Sequence, residues 1–81
     1  MNASKYSILL LEDEAITRFL ISDFLQELGI TTLAVGSFAA LTQVLPTDCD
    51  LLLADVHLPD GNSLDMLPRL RQQGVLNVEY L

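Results

Sequence analysis

The chain is short of basic residues: one lysine and three arginines stand against eleven acids, for a formal net charge of −7. Binding to a phosphate backbone depends on clustered Lys and Arg that release its counterions, so nucleic acid is not an expected direct partner. Cysteine is almost missing. Cys49 alone allows no internal disulfide and no zinc cluster built from thiolates, and it is expected to be an inert packing or loop residue. Long hydrophobic runs are missing as well. Ile8 to Leu11 and Leu51 to Ala54 have four residues each, whereas a helix that crosses a bilayer needs about 20. No membrane partner is expected. A secretory leader would place its apolar region directly after a basic start, but the first run here ends in Glu12-Asp13-Glu14. The expected location is the cytoplasm.

What is present is a small, apolar, acidic chain. At 81 residues it has room for one domain, 1–81, and a domain of this size buries about 60% of the surface its unfolded chain exposes. Ile8 to Leu11 has no helical period, is short and ends at acids, so it reads as a strand buried on both faces. Ala15 to Leu28 reads as a helix. Leu20, Phe24 and Leu28 recur every fourth residue with Ile21 and Leu25 beside them, which predicts the core-facing arc, and Gly29 stands at the expected C-terminal cap. Phe19 and Ile16 fall outside that arc, among Arg18, Ser22, Asp23 and Gln26; Phe19 reads as a packing residue under a further helix or, if exposed, as a contact for a partner.

Thr31 to Val35 is short and rich in β-branched residues, a second strand. Ser37 is a good N-cap for a helix carrying Phe38, Leu41 and Leu45, closed by Pro46-Thr47-Asp48. Leu51 to Val56 is a third strand. Leu58 to Ser63 is a loop by composition, and the next helix is expected from near Ser63 to Gly74, with Pro68 bending its first turns if it begins at Leu64. Asn77 to Leu81 is expected to begin a fourth strand. Strands alternating with helices imply right-handed crossovers and a parallel sheet with helices on both faces.

In such sheets ligands bind beyond the carboxyl ends of the strands. Glu12, Asp13 and Asp55 follow or end the two most apolar strands, so if those strands are neighbours the three carboxylates meet at one rim. Three carboxylates in one small pocket repel one another, and the repulsion is relieved by protonating one of them or by binding a cation. A hard ion such as Mg²⁺, held by one or two carboxylates plus a phosphate, suits this set. An Asp can act as a nucleophile toward phosphorus, and on chemistry alone any of the three acids could serve.

These blocks resemble the receiver domains of two-component response regulators. The family's acidic pair after strand one is similar to Glu12-Asp13 within Ile8 to Glu14 (ILLLEDE), and its phosphoacceptor block looks like Asp50 to Pro59 (DLLLADVHLP). The resemblance implies that Asp55 is the phosphoacceptor, that Glu12, Asp13 and Asp55 hold Mg²⁺, and that the backbone carbonyl of His57 completes the metal shell. It also implies an α/β fold, a flavodoxin-like three-layer sandwich with strand order 2-1-3-4, lacking the last strand and last two helices. The partner implied is a histidine kinase or histidine phosphotransfer protein, and the protein is a phosphoacceptor module rather than an enzyme.

The chain departs from the family pattern at three places. Ser63 stands where the family usually has Gly, two residues before the acid corresponding to Asp65. The family's Thr or Ser after strand four and its Lys after strand five have no counterparts; Lys5, the only lysine, precedes strand one. The alternative reading is therefore a non-switching module that binds a kinase or another receiver. A metal-dependent phosphatase would need a general acid and a substrate pocket, and a flavin or nucleotide binder a Gly- or Ser-rich phosphate loop where Glu12-Asp13-Glu14 stands. His57 reads as a solvated neighbour of the carboxylates. An open edge at the fourth strand and the uncovered Ile16 and Phe19 predict self-association, most simply as a homodimer.

Overall fold

Ser7–Leu11 (β1) is extended, as its lack of helical period predicts, and lies inside the sheet. The structure, a computed structural model, describes residues 6–45, 49–62, 64–75 and 77–81. The elements that follow are Ala15–Glu27 (α1), Thr31–Val35 (β2), Phe38–Val44 (α2), Leu51–Ala54 (β3), His57–Leu58 (β4), Gly61–Asn62 (β5), Leu67–Gln72 (α3) and Val78–Tyr80 (β6). β2, β1, β3 and β6 lie in that order in one parallel sheet, so β6 is the expected fourth strand and the order is the expected one. β4 and β5 form a separate antiparallel hairpin where composition alone suggested only a loop.

The register divides the apolar residues between two faces. Leu9 pairs with Leu33 and Leu52, and Leu11 with Val35 and Ala54, and paired residues of a parallel sheet point the same way. Leu9, Leu11, Leu52 and Ala54 pack with Phe38 and Leu41 of α2 and Leu70 of α3, with Val78 and Tyr80 of β6 against them. Cys49, half-buried, packs against this same cluster as a small apolar residue. Ile8 and Leu10 point to the other face, where α1 lies on β1 and β2 and buries Leu25. These are the three layers.

Two expectations are corrected. On α1, Leu25 is buried and Ile21 half-buried, whereas Leu20, Phe24 and Leu28 are about as exposed as Ile16 and Phe19. The helix is rotated so that the edge of its apolar arc, rather than the centre, meets the sheet. α3 begins at Leu67 instead of near Ser63, with Met66 at its N-cap. Pro68 thus stands in the first turn, where its missing N–H has no helical acceptor to lose, and the start at Leu64 on which the expected bend depended is not met. The expectations for Ser63 and for Pro46-Thr47-Asp48 lie outside the described residues. Ser37 caps α2 as expected, its hydroxyl accepting from the Ala40 N–H, and Gly29 takes a positive φ after α1. Among the described residues no helix is long and apolar enough to cross a membrane.

Candidate metal centre

β1 and β3 are parallel neighbours that end level with each other, Leu11 opposite Ala54, so the next residues leave one sheet edge side by side. Backbone pairing continues one residue beyond each strand: the Asp55 N–H donates to the Leu11 carbonyl at 2.9 Å and the Glu12 N–H to the Val35 carbonyl at 3.0 Å. The roots of both acids are therefore as rigid as the sheet. Glu12, Asp13 and Asp55 each offer a carboxylate oxygen, and these oxygens lie within 4.8 Å of one another. The rim expected from the sequence is formed.

The three acids sit in different surroundings. Glu12 is 5% exposed, Asp55 half-buried and Asp13 exposed. Burial raises the Glu12 carboxyl above its ordinary value, and the neighbouring charges of Asp55 and Asp13 push the same way. The Glu14 N–H, which donates to Glu12 Oε2 at 3.0 Å, works against both. Glu14, the third acid of the run, is used elsewhere: its Oε1 accepts from the Thr17 N–H at 2.8 Å and the Thr17 hydroxyl at 2.6 Å, capping α1.

The donor set fits a small hard cation. Oxygens sharing one octahedral Mg²⁺ at about 2.1 Å lie about 3 to 4 Å apart, so small side-chain adjustments bring these three into range. Among the described residues the cluster consists of the three carboxylates, and the His57 imidazole is not part of it. His57 is exposed, two residues past Asp55, at the start of β4 and opposite Asn62.

Two supports of the rim were not legible as such in the sequence. Arg18, which reads only as a polar residue on a helical wheel, turns its Nη1 back to the carbonyls of Glu12 at 2.9 Å and Asp13 at 3.3 Å. Asp60, which reads as a turn residue, accepts from the Phe38 N–H at 3.1 Å and the Ala39 N–H at 3.0 Å at the start of α2. These bonds hold its carboxyl below the usual carboxylate range. They also tie the hairpin that follows Asp55 to α2, and a Cβ at Gly61 would press on the Phe38 ring at 3.2 Å. A helix start with free N–H groups and an acid two strands away would have been the signal, but nothing in spacing pairs residues 38 and 60.

No protein-family model matches the chain. Among curated proteins it is similar to the TorCAD operon transcriptional regulatory protein TorR of Escherichia coli, 28% identical over 74 residues, 90% of this chain and 32% of that protein. It is 35% identical over 68 residues to the Regulator of RpoS of the same species, covering 83% of this chain and 20% of that one. Among solved structures it is similar to the MaeR response regulator bound to beryllium trifluoride, with 30% identity, a TM-score of 0.79, and coverage of 94% of this chain and 66% of that one. The chain thus spans about a third or less of the curated relatives it matches and about two thirds of the receiver structure.

Proposed function

Because this chain belongs to the response-regulator receiver family, we infer that Asp55 accepts a phosphoryl group from a histidine kinase or histidine phosphotransfer protein, in the presence of Mg²⁺. The observation that carries this reading is the convergence of the Glu12, Asp13 and Asp55 carboxylates within 4.8 Å at the carboxyl ends of β1 and β3.

Asp55 is the nucleophile by its match to the family block, and its half-buried position at the strand end suits that role. A carboxylate oxygen of Asp55 attacks phosphorus, the phosphorus–nitrogen bond to the donor imidazole breaks, and the imidazole leaves with the bonding pair. The product is an acyl phosphate. Bound among the three carboxylates, Mg²⁺ supplies positive charge for the phosphoryl oxygens, since phosphoryl transfer depends mainly on positioning and charge neutralisation. Glu12, Asp13 and Asp55 would hold the ion, and by the family pattern the His57 backbone carbonyl would join them. MaeR, solved bound to beryllium trifluoride, supports a phosphoryl site in a protein similar to this chain.

The protein acts as an acceptor rather than an enzyme, in the cytoplasm, and its partners are proteins rather than nucleic acid or membrane. The exposed apolar side chains of α1 support a second copy of the chain or another receiver as a further partner. Intact mass after incubation with acetyl phosphate and Mg²⁺ tests the central claim. Wild type gains one phosphoryl increment, and Asp55→Asn, which keeps the volume and loses the nucleophile, gains none while its circular dichroism is unchanged. Equal increments in both proteins would refute Asp55 as acceptor.

A further inference from the structure

Arg18 joins the rim loop, α1 and the end of β2. It lies on α1, and its Nη1 donates to the carbonyls of Glu12 and Asp13, in the two peptide units that follow the two acids of the rim. A peptide unit is planar, so fixing its carbonyl fixes the direction in which the next residue leaves. The guanidinium therefore sets the course of the backbone from Glu12 through Asp13 to the start of α1. The other described cations, Arg69 and Arg71, belong to α3, on the opposite face of the sheet from α1.

The third piece is Gly36, just past β2. A Cβ at this position would lie 2.8 Å from Arg18 Nη1, closer than Cβ contacts come, while Arg18 Cζ at 3.4 Å and the Glu12 carbonyl at 3.8 Å are ordinary contacts. Gly36 is not among the glycines with positive φ, which are Gly29, Gly61 and Gly74. Its backbone conformation is therefore open to other residues, and a Cβ there would be accommodated by moving the far end of the flexible Arg18 side chain.

We propose that Arg18, lying across Gly36, is a positioning residue for the cation site, holding the Glu12-Asp13 backbone in the course that lets both carboxylates meet Asp55. The proposal rests on the reading of the rim as a Mg²⁺ site. Its opponent is electrostatic: a guanidinium near a cation site repels the cation, so deleting the charge alone would tighten Mg²⁺ binding. Substitutions that keep the charge and move the donor separate the two effects.

The test measures Mg²⁺ affinity by calorimetry, without any phosphodonor, together with metal-free thermal unfolding. Gly36→Ala and Arg18→Lys each weaken Mg²⁺ binding about tenfold, the scale on which outer-shell supports of a metal site act, with little change in metal-free stability. In an Arg18→Ala background, Gly36→Ala has no further effect on affinity, because there is no guanidinium left to displace. Unchanged or tighter Mg²⁺ binding in both Gly36→Ala and Arg18→Lys would overturn the proposal, as would an equal effect of Gly36→Ala with and without Arg18. If Gly36→Ala does not fold, Arg18→Lys decides alone by the same criterion. A wild type that binds no Mg²⁺ refutes the cation site itself, a different result from one in which the wild type binds and the variants bind equally well.

Discussion

The helices on the two faces of the central sheet carry similar apolar side chains and end in different states, although the strand residues beneath them are buried on both faces, with Leu10 at 0% and Ile8 at 6% exposure on the side of α1. On the face covered by α2 and α3, Leu9, Leu11, Leu41 and Leu52 are sealed from solvent, with Val75 and Leu70 beside them. On the other face, α1 leaves Ile16, Phe19, Leu20, Phe24 and Leu28 between 59% and 68% exposed. Apolar periodicity reports how much apolar surface a helix carries. It does not report which part of that surface the described fold covers, because coverage depends on what else reaches the same face.

The largest expected effect breaks or confirms this contrast directly. Leu52→Ala empties a site with no solvent exposure and is expected to cost about 2–5 kcal/mol, enough to unfold a small domain of modest stability. Phe24→Ser on α1 is expected to change stability by about 0.5 kcal/mol or less, as for surface substitutions in general. Urea unfolding midpoints decide it, and similar losses for both variants would mean that the two faces are packed alike.

Two acids, Glu12 in the rim and Asp60 in the hairpin after it, sharpen the contrast because their carboxyl groups are shifted in opposite directions. Burial raises the Glu12 carboxyl above 4.5, so the stability it contributes is present below that pH and is lost as pH rises through the raised value. At neutral pH the ionised Glu12 therefore destabilises the metal-free protein. Glu12→Gln is expected to raise the metal-free melting temperature near neutral pH, to lose that advantage in acid, and to lose the stabilisation by millimolar Mg²⁺ that mass action gives the wild type. A lower metal-free melting temperature at neutral pH would contradict it.

Asp60 works the other way. Its carboxyl lies below 3.8 because the Phe38 and Ala39 N–H groups donate to it, so its contribution is present above that value and is lost as pH falls through the lowered one. Asp60→Asn should flatten the acid limb of the stability curve and leave the limb toward neutral pH with its shape. An acid limb as steep as that of wild type would show that the bonds to α2 contribute nothing measurable.

The smallest effect on the folded monomer is expected from Phe24→Glu, yet this change should abolish the self-association that an exposed apolar stripe favours. Light scattering coupled to size exclusion reads it. A wild type that stays monomeric at high micromolar concentration removes the second copy from the list of partners.

Much of this was legible in advance, and what was not has identifiable physical causes. The runs Ile8 to Leu11 and Leu51 to Ala54 read as buried strands from their shortness and their acidic or polar ends, and acids at their ends converge once a parallel sheet makes them neighbours. The rotation of α1 was hidden because its apolar arc is wider than the strip the sheet can cover, so several orientations satisfy the periodicity. The late start of α3 reflects Pro68, which is acceptable in a first turn and costly deeper in. Arg18 and Asp60 were hidden because each acts through backbone groups, which leave no mark in composition or spacing, and Gly36 because its role is only the room it leaves for the Arg18 side chain.

The place of β1 between β2 and β3 also bears on how the chain assembles. No strand of the main sheet other than β1 can pair with β2, and β3 joins β6 to the rest, so the sheet cannot grow without β1 in place. Pairing β1 with β2 closes a shorter loop than pairing it with β3, which lowers its entropic cost and makes that pair the natural first step. Amide protons in the middle of β1, bonded or shielded on both sides, should exchange with deuterium only when the whole domain opens, while those at the outer edge of β6 exchange through local fraying. The rim acids would then acquire their geometry late, when β3 brings Asp55 up beside a loop that β1 and α1 have already shaped.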